Sequence, residues 1–244
     1  MISKIGYTNL VNQTSLSNAE QLASKVEEGA NGVFESAQKA TKTPYTDQVS
    51  IALAAQNAMQ EEELQTSGYY DQFFPVREGF SPSALTASID DAASQTFSEG
   101  RTFNEVARLA RTSLDEKLSA ASESGEPYDL QGANGGKDMN TLFSDFDRRT
   151  LYAVSSNEGG QFTEDEQRMA KSLMRTQQSF AMGLYNGPAE MRSSFVDPFV
   201  NDSASRWQQA IEWLDEVSFE EKQSSEWIMQ RAIAQRALEN NPAE

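Results

Sequence analysis

The chain is predicted to be all-α, an irregular multi-helix bundle behind a mobile N-terminal leader, on three observations. Apolar residues recur at three- and four-residue spacing through most of its length. Ser or Thr is repeatedly followed three residues later by Glu, at Ser17/Glu20, Thr102/Glu105, Thr163/Glu166 and Ser218/Glu221. This is the capping box, in which hydroxyl and carboxylate each take the other residue's backbone amide at a helix start. The period-two alternation of a half-buried strand is almost absent.

Composition narrows the chemistry. With 244 residues the chain suits one large or two small domains at roughly 150 residues each. Hydrophobic residues make up 38% and aromatic ones 9%, so part of the chain is expected to stay unpacked. There is no cysteine, hence no disulfide, thiolate nucleophile or thiolate zinc site. There is no histidine either, which removes Ser-His and Cys-His catalysis and the commonest transition-metal ligand. The formal charge of −17, from 37 acidic against 20 basic residues, repels polyanions, so neither nucleic acid nor an anionic membrane is an expected partner. No apolar run reaches the ~20 residues of a membrane span. The first residues lack the apolar centre of a cleaved secretory signal, so a soluble, cytoplasmic protein is expected.

In chain order, residues 1–45 are rich in Ser, Thr, Asn and Gln and are expected to form the leader, with one short helix from Ser17 to Gly29. Residues 46–122 are expected to form an N-terminal helical subdomain. It begins with a helix from Asp47 to about Gln65 that carries Val49, Leu53 and Met59. Tyr69, Tyr70, Phe73 and Phe74 follow beside Pro75, which stops a helix. These rings either plug a joint between helices or anchor a protein partner, since Tyr and Phe dominate interface energies. Ser81-Pro82 opens a helix through Leu85, Ile89 and Phe97 to Gly100. Thr102/Glu105 opens the next, through Val106, Leu109, Ala110, Leu114 and Leu118. The joint at Gly100 predicts that these two form an antiparallel hairpin.

Residues 123–138, rich in Gly, Asn and Asp, read as a flexible connection to a C-terminal subdomain, 139–244. That subdomain is expected to centre on a helix-loop-helix. Leu142, Phe143, Phe146, Thr150, Leu151 and Val154 line the apolar face of its first helix, and Ser144, Asp145, Asp147, Arg148 and Arg149 the wet face. Met169, Leu173, Gln177, Phe180 and Leu184 line the second, which is expected to stop at Asn186-Gly187-Pro188. Phe195 to Val200 is an extended segment around Pro198, expected to lie in a groove between helices. Two closing helices start at Ser203 and Ser218. They carry Trp207, Trp213 and Trp227, expected chiefly in the core.

The break from Ser155 to Glu166 resembles a calcium-binding EF-hand loop. With Gly160 at the family's invariant sixth position, Ser155, Asn157, Gln161, Thr163 and Glu166 fall on ligand positions. The resemblance implies a calcium site. The pattern departs from the family in its first half, where Asp gives way to Ser155 and the fifth position is Gly159. Glu166 is then the one charged ligand, which fits a hard dication poorly. As a pure turn and capping box the same residues need no metal.

Other resemblances are shorter. Residues 1–45 resemble the uncleaved leaders of flagellar and type III export substrates, and Thr46 to Ile51 resembles segments of flagellar anti-sigma factors, which implies export or a flagellar context. Ser36-Ala37-Gln38-Lys39 has the Ser-x-x-Lys spacing of serine acyl-enzymes such as penicillin-binding proteins, without their further motifs. Gly132 to Lys137 lacks the flanking residues of a phosphate loop. Glu123-Ser124-Gly125 resembles the catalytic glutamate neighbourhood of lytic transglycosylases, helical enzymes that need no histidine, which implies a glutamate-dependent hydrolase. The favoured expectation is a non-enzymatic acidic interaction or adaptor protein that presents helical and aromatic surface to a protein partner. The calcium-responsive regulator and the hydrolase are the alternatives, with calcium as the candidate cofactor of the former.

Overall fold

The computed structural model describes residues 68–241. The leader, the helix from Asp47 and the Ser36/Lys39 pair lie outside the described residues. Within them the chain is helical and has no strand. A 3-10 turn, Tyr69–Phe73, leads into α1 (Ser83–Asp90), α2 (Phe103–Glu123), α3 (Gly135–Leu142), α4 (Arg148–Ser155), α5 (Glu164–Ala181), α6 (Ser203–Glu216), α7 (Phe219–Lys222) and α8 (Ser225–Asn240).

Two capping boxes form as the sequence predicts, at Thr102/Glu105 on α2 and at Thr163/Glu166 on α5. α5 lies at the centre, packed by α4 along one side and α1 along another, while α2 packs on α4 and α8 on α6. The Gly100 joint therefore passes the chain between two different neighbours instead of closing the expected hairpin. α1 also ends at Asp90, well short of Gly100, because the Asp91 carboxylate takes the Ala93 amide and Asp147 takes the amides of Phe97 and Ser98 at 2.9 and 2.8 Å. Each of these side chains offers the backbone an alternative to the helix ladder.

One apolar core runs from Tyr69 to Val217 and draws on both sides of residues 123–138. The expected subdomain boundary there does not hold. Arg77 clamps the segment: its guanidinium grips Asp138 at 2.6 and 2.7 Å, donates to the carbonyls of Glu126 and Pro127, and lies 4.3 Å over the Tyr128 ring. Asp138 also accepts the Asp129 amide, and the guanidinium beside it holds its carboxyl below the usual carboxylate range. The segment even contributes the first turn of α3.

The expected first helix of the central pair is two helices, α3 and α4, divided at 143–147. The divider is Asp147, which caps α4 and is fully buried. It accepts four hydrogen bonds, from the amides of Phe97, Ser98 and Thr150 and from the Thr150 hydroxyl. Arg148 is buried as well. It meets Glu221 of α7 through two bonds of 3.0 and 2.6 Å, donates to the Met174 carbonyl, and stacks 4.2 Å from Trp213. Asp147 and Arg148 of the predicted wet face, with Ser144 beside them, thus sit in the interior, where Asp147 and Arg148 are tolerated because their bonds are returned. The Trp213 indole and the Gln177 amide complete the network by donating to carbonyls of α1, those of Ser88 and Leu85. Glu221 is thereby drawn away from the capping box predicted with Ser218, which keeps only its hydroxyl bond to the Glu221 amide.

α5 stops a turn earlier than predicted. Gly183 adopts φ +67°, its amide bonds to the Phe180 carbonyl, and the Leu184 amide reaches back to Ser179 at 2.8 Å. That is a Schellman stop, and it turns Leu184 outward. A side chain at 183 would also strike Asp197 and Phe199, so the position needs glycine twice over. In the segment that follows, Phe195 packs against the core whereas Val200 is exposed.

Candidate interaction surface

The four rings singled out as a partner anchor are core residues. Tyr69, Tyr70, Phe73 and Phe74 are all buried. The tight 3-10 turn sends successive side chains in different directions; Tyr70, Phe73 and Phe74 close around Phe180 of α5, and Tyr69 packs edge-on against Tyr70 and Phe73. Phe73 stacks on it at 5.2 Å, with Tyr70 at 5.6 Å and Phe74 at 5.8 Å. The Tyr69 hydroxyl accepts the Val196 amide at 2.8 Å, and burial pushes the Tyr70 hydroxyl pKa upward. The joint-plug alternative describes these residues; as placed, they offer no surface to a partner.

The loop between α4 and α5, the candidate calcium site, is closed from within. Asn157 takes the left-handed conformation, φ +55°, and its side-chain carbonyl caps the Phe162 amide at 2.9 Å. Gly159 and Gly160 turn the chain at φ +71° and +70°. Ser155 Oγ donates backwards to the Tyr152 carbonyl. Thr163 and Glu166 exchange the two bonds of the capping box, at 3.2 and 2.8 Å. Glu166 is also gripped by Arg111 of α2, whose Nη1 lies 2.9 and 2.8 Å from the two carboxylate oxygens and 3.5 Å from the Gln161 carbonyl. A guanidinium already answers the one negative charge among the candidate ligand positions, and the other candidates are neutral. The set does not fit a calcium ion, which needs several anionic oxygens free at once. Among the described residues, no three or more acidic side chains gather to hold a metal. Arg111 was missed because it lies 55 positions from Glu166 and no local pattern links them.

Glu123, the candidate hydrolase acid, is the last residue of α2 and is exposed. It stands in solvent and not in the apolar pocket that a carboxyl acting as an acid at neutral pH requires.

The most exposed large apolar side chains lie on the last two helices, while Phe80, Leu109, Leu118, Leu184 and Val200 are exposed elsewhere. α6 is anchored conventionally: Asp202 caps it, and Ala210, Ile211, Trp213 and Leu214 face inward. α8 lies along α6 and is capped by Ser224. The Trp227 indole donates to the Leu214 carbonyl at 2.7 Å, Arg231 forks onto Asp215 at 2.7 and 3.0 Å, and Ala234 is buried against α6. The inward side of α8 is accounted for by these contacts. Its outer side carries Ile228, Met229 and Ile233, which are 57%, 58% and 56% exposed. Phe219, on the short helix just before it, is 74% exposed. Scattered apolar residues on a surface are ordinary, whereas Ile228, Met229 and Ile233 lie on the outer side of one helix and form an exposed apolar stripe. The signal was present in the sequence. Between Ser225 and Asn240 the apolar residues fall on two sides of the helix, more than one neighbour can cover.

No helix among the described residues is long and apolar enough to cross a membrane. Comparison with protein-family models, with characterised proteins and with solved structures gives no match, so function is read from the residues alone.

Proposed function

We propose that this chain is a non-enzymatic, acidic helical interaction protein that engages a protein partner through the outer face of α8. The observation that carries the reading is the exposure of Ile228, Met229 and Ile233 on a helix already anchored from its other side by Trp227, Arg231 and Ala234. The formal charge of −17 supports a protein partner over nucleic acid or an anionic bilayer, because both of those are gripped by clustered Lys and Arg. The calcium-regulator reading loses support from Arg111, which occupies the carboxylate it would need, and the hydrolase reading from the solvated position of Glu123.

The test is affinity capture from native lysate with the full chain and with Ile233→Asp. A charge on that face should abolish capture while leaving helical circular dichroism and melting unchanged. Equal capture by both proteins would refute the assignment of the face.

A further inference from the structure

We propose that the outer face of α8 pairs with the same face of a second copy of this chain, antiparallel, about a two-fold axis passing between Met229 and Ile233. The inference rests on reading α8 as the interaction surface and names its partner. Its basis is the order of residues along the exposed stripe. Glu226, Met229, Ile233 and Arg236 follow one another at spacings of three, four and three, the spacing that keeps residues on one seam of a helix. The stripe is therefore an acid, two apolar residues and a base, and its chemistry is complementary to its own reversal.

A two-fold axis between Met229 and Ile233 sets Met229 of each copy against Ile233 of the other. It sets each Glu226 against the other copy's Arg236. Such self-complementarity is what an isologous interface demands, since each residue contact occurs twice. Parallel pairing would oppose Glu226 to Glu226 and Arg236 to Arg236, so the charges select the antiparallel arrangement. Ala232, exposed beside the seam, leaves room for close approach of the two helices.

Both charges are available. Arg236 is exposed and enters none of the ion pairs among the described residues. Glu226 pairs with Lys171, but both side chains are more than a third exposed, at 38% and 44%, and such a surface pair holds its carboxylate loosely. The helix has 16 residues, about 24 Å of contact at ~1.5 Å per residue. One such helix pair falls below the ~1,600 Å² of a standard stable interface, so the association is reversible and concentration-dependent.

Sedimentation of the full chain from about 5 to about 300 µM, near physiological ionic strength, tests the proposal. The wild type should pass from monomer to dimer across that range. Arg236→Glu, which opposes like charges at both ends of the seam, should weaken dimerisation at least ~10-fold. Adding Glu226→Arg to it reverses both charges, and dimerisation should return to within a few-fold of wild type. Circular dichroism verifies that each variant keeps its helices. A wild type that stays monomeric, a dimer indifferent to Arg236→Glu, or a double variant no better than the single would each overturn self-pairing. A monomeric wild type whose captured partner is lost in Ile233→Asp would sink self-pairing alone and leave the surface assignment standing. A dimer that survives Ile233→Asp would refute both.

Discussion

The α4–α5 pair and the α6–α8 pair are built from the same parts and end in opposite states. In each, antiparallel helices are joined through Ser-capped or Thr-capped starts, and an Arg-carboxylate pair ties a joint to a neighbour. Arg111 holds Glu166 at the first joint, and Arg148 holds Glu221 at the second. α5, however, is covered on several sides, so Leu173, Gln177 and Phe180 vanish into the core. α8 is covered chiefly by α6, and its second apolar side stays in water. The difference teaches that a helix's apolar content does not say where its core lies. The number of neighbours decides which apolar residues are buried and which stay exposed.

The sharpest way to break the comparison is at the Arg148 network. Arg148→Ala leaves Glu221 buried and without its counter-charge, and should destabilise the fold by about 3–5 kcal/mol in urea titration. Next comes the matched pair of truncations. Leu173→Ala should cost about 2–5 kcal/mol, whereas Met229→Ala should stay within about 0.5 kcal/mol, since one opens a cavity and the other removes a solvated side chain. A large loss at Met229 would mean that α8 is core after all. Glu166→Gln strips Arg111 of its best partner as well as weakening a cap, so the expected cost is about 1–3 kcal/mol rather than that of a cap alone. Calorimetry of the wild type against calcium at micromolar concentration should show no heat; a saturable signal abolished by Glu166→Gln would reinstate the loop as a metal site.

The smallest expected effect is in acid. The Asp138 carboxyl is held below its ordinary value of 3.8, chiefly by the hydrogen bonds from Arg77. The unfolded chain binds this proton first as pH falls, so the stabilisation is complete above the ordinary value and is lost as pH drops through the lower, folded value. Asp138→Asn should flatten that part of the acid unfolding curve. An unchanged curve would show that the Arg77 clamp does not hold the 123–138 segment.

Much of this was legible from residue spacing. The all-α class and the Thr102/Glu105 and Thr163/Glu166 boxes are local patterns, and so is much of the inward stripes of α2 and α5, although Leu109, Leu118 and Leu184, expected on those stripes, are exposed. What escaped was non-local. Asp147 and Arg148 have the polarity of a wet face, and nothing nearby tells that Ser98, Glu221 and Trp213, up to 73 positions away, will satisfy them indoors. The aromatic run beside Pro75 showed that the rings cluster but not which way they turn, because that depends on Phe180. The outer stripe of α8 was on the page as a doubled apolar pattern, and only the packing of one side by α6 reveals the other as surface.

Under the proposed reading, function resides on the outer face of α8 and not on the loop before α5. A photo-crosslinking side chain at Met229, compared with one at the exposed Glu164 beside that loop, tests it most directly. In native lysate the probe at 229 should yield a discrete crosslinked species, lost on adding Ile233→Asp, and the probe at 164 should yield none. Crosslinks confined to position 164, or equal from both, would contradict the claim.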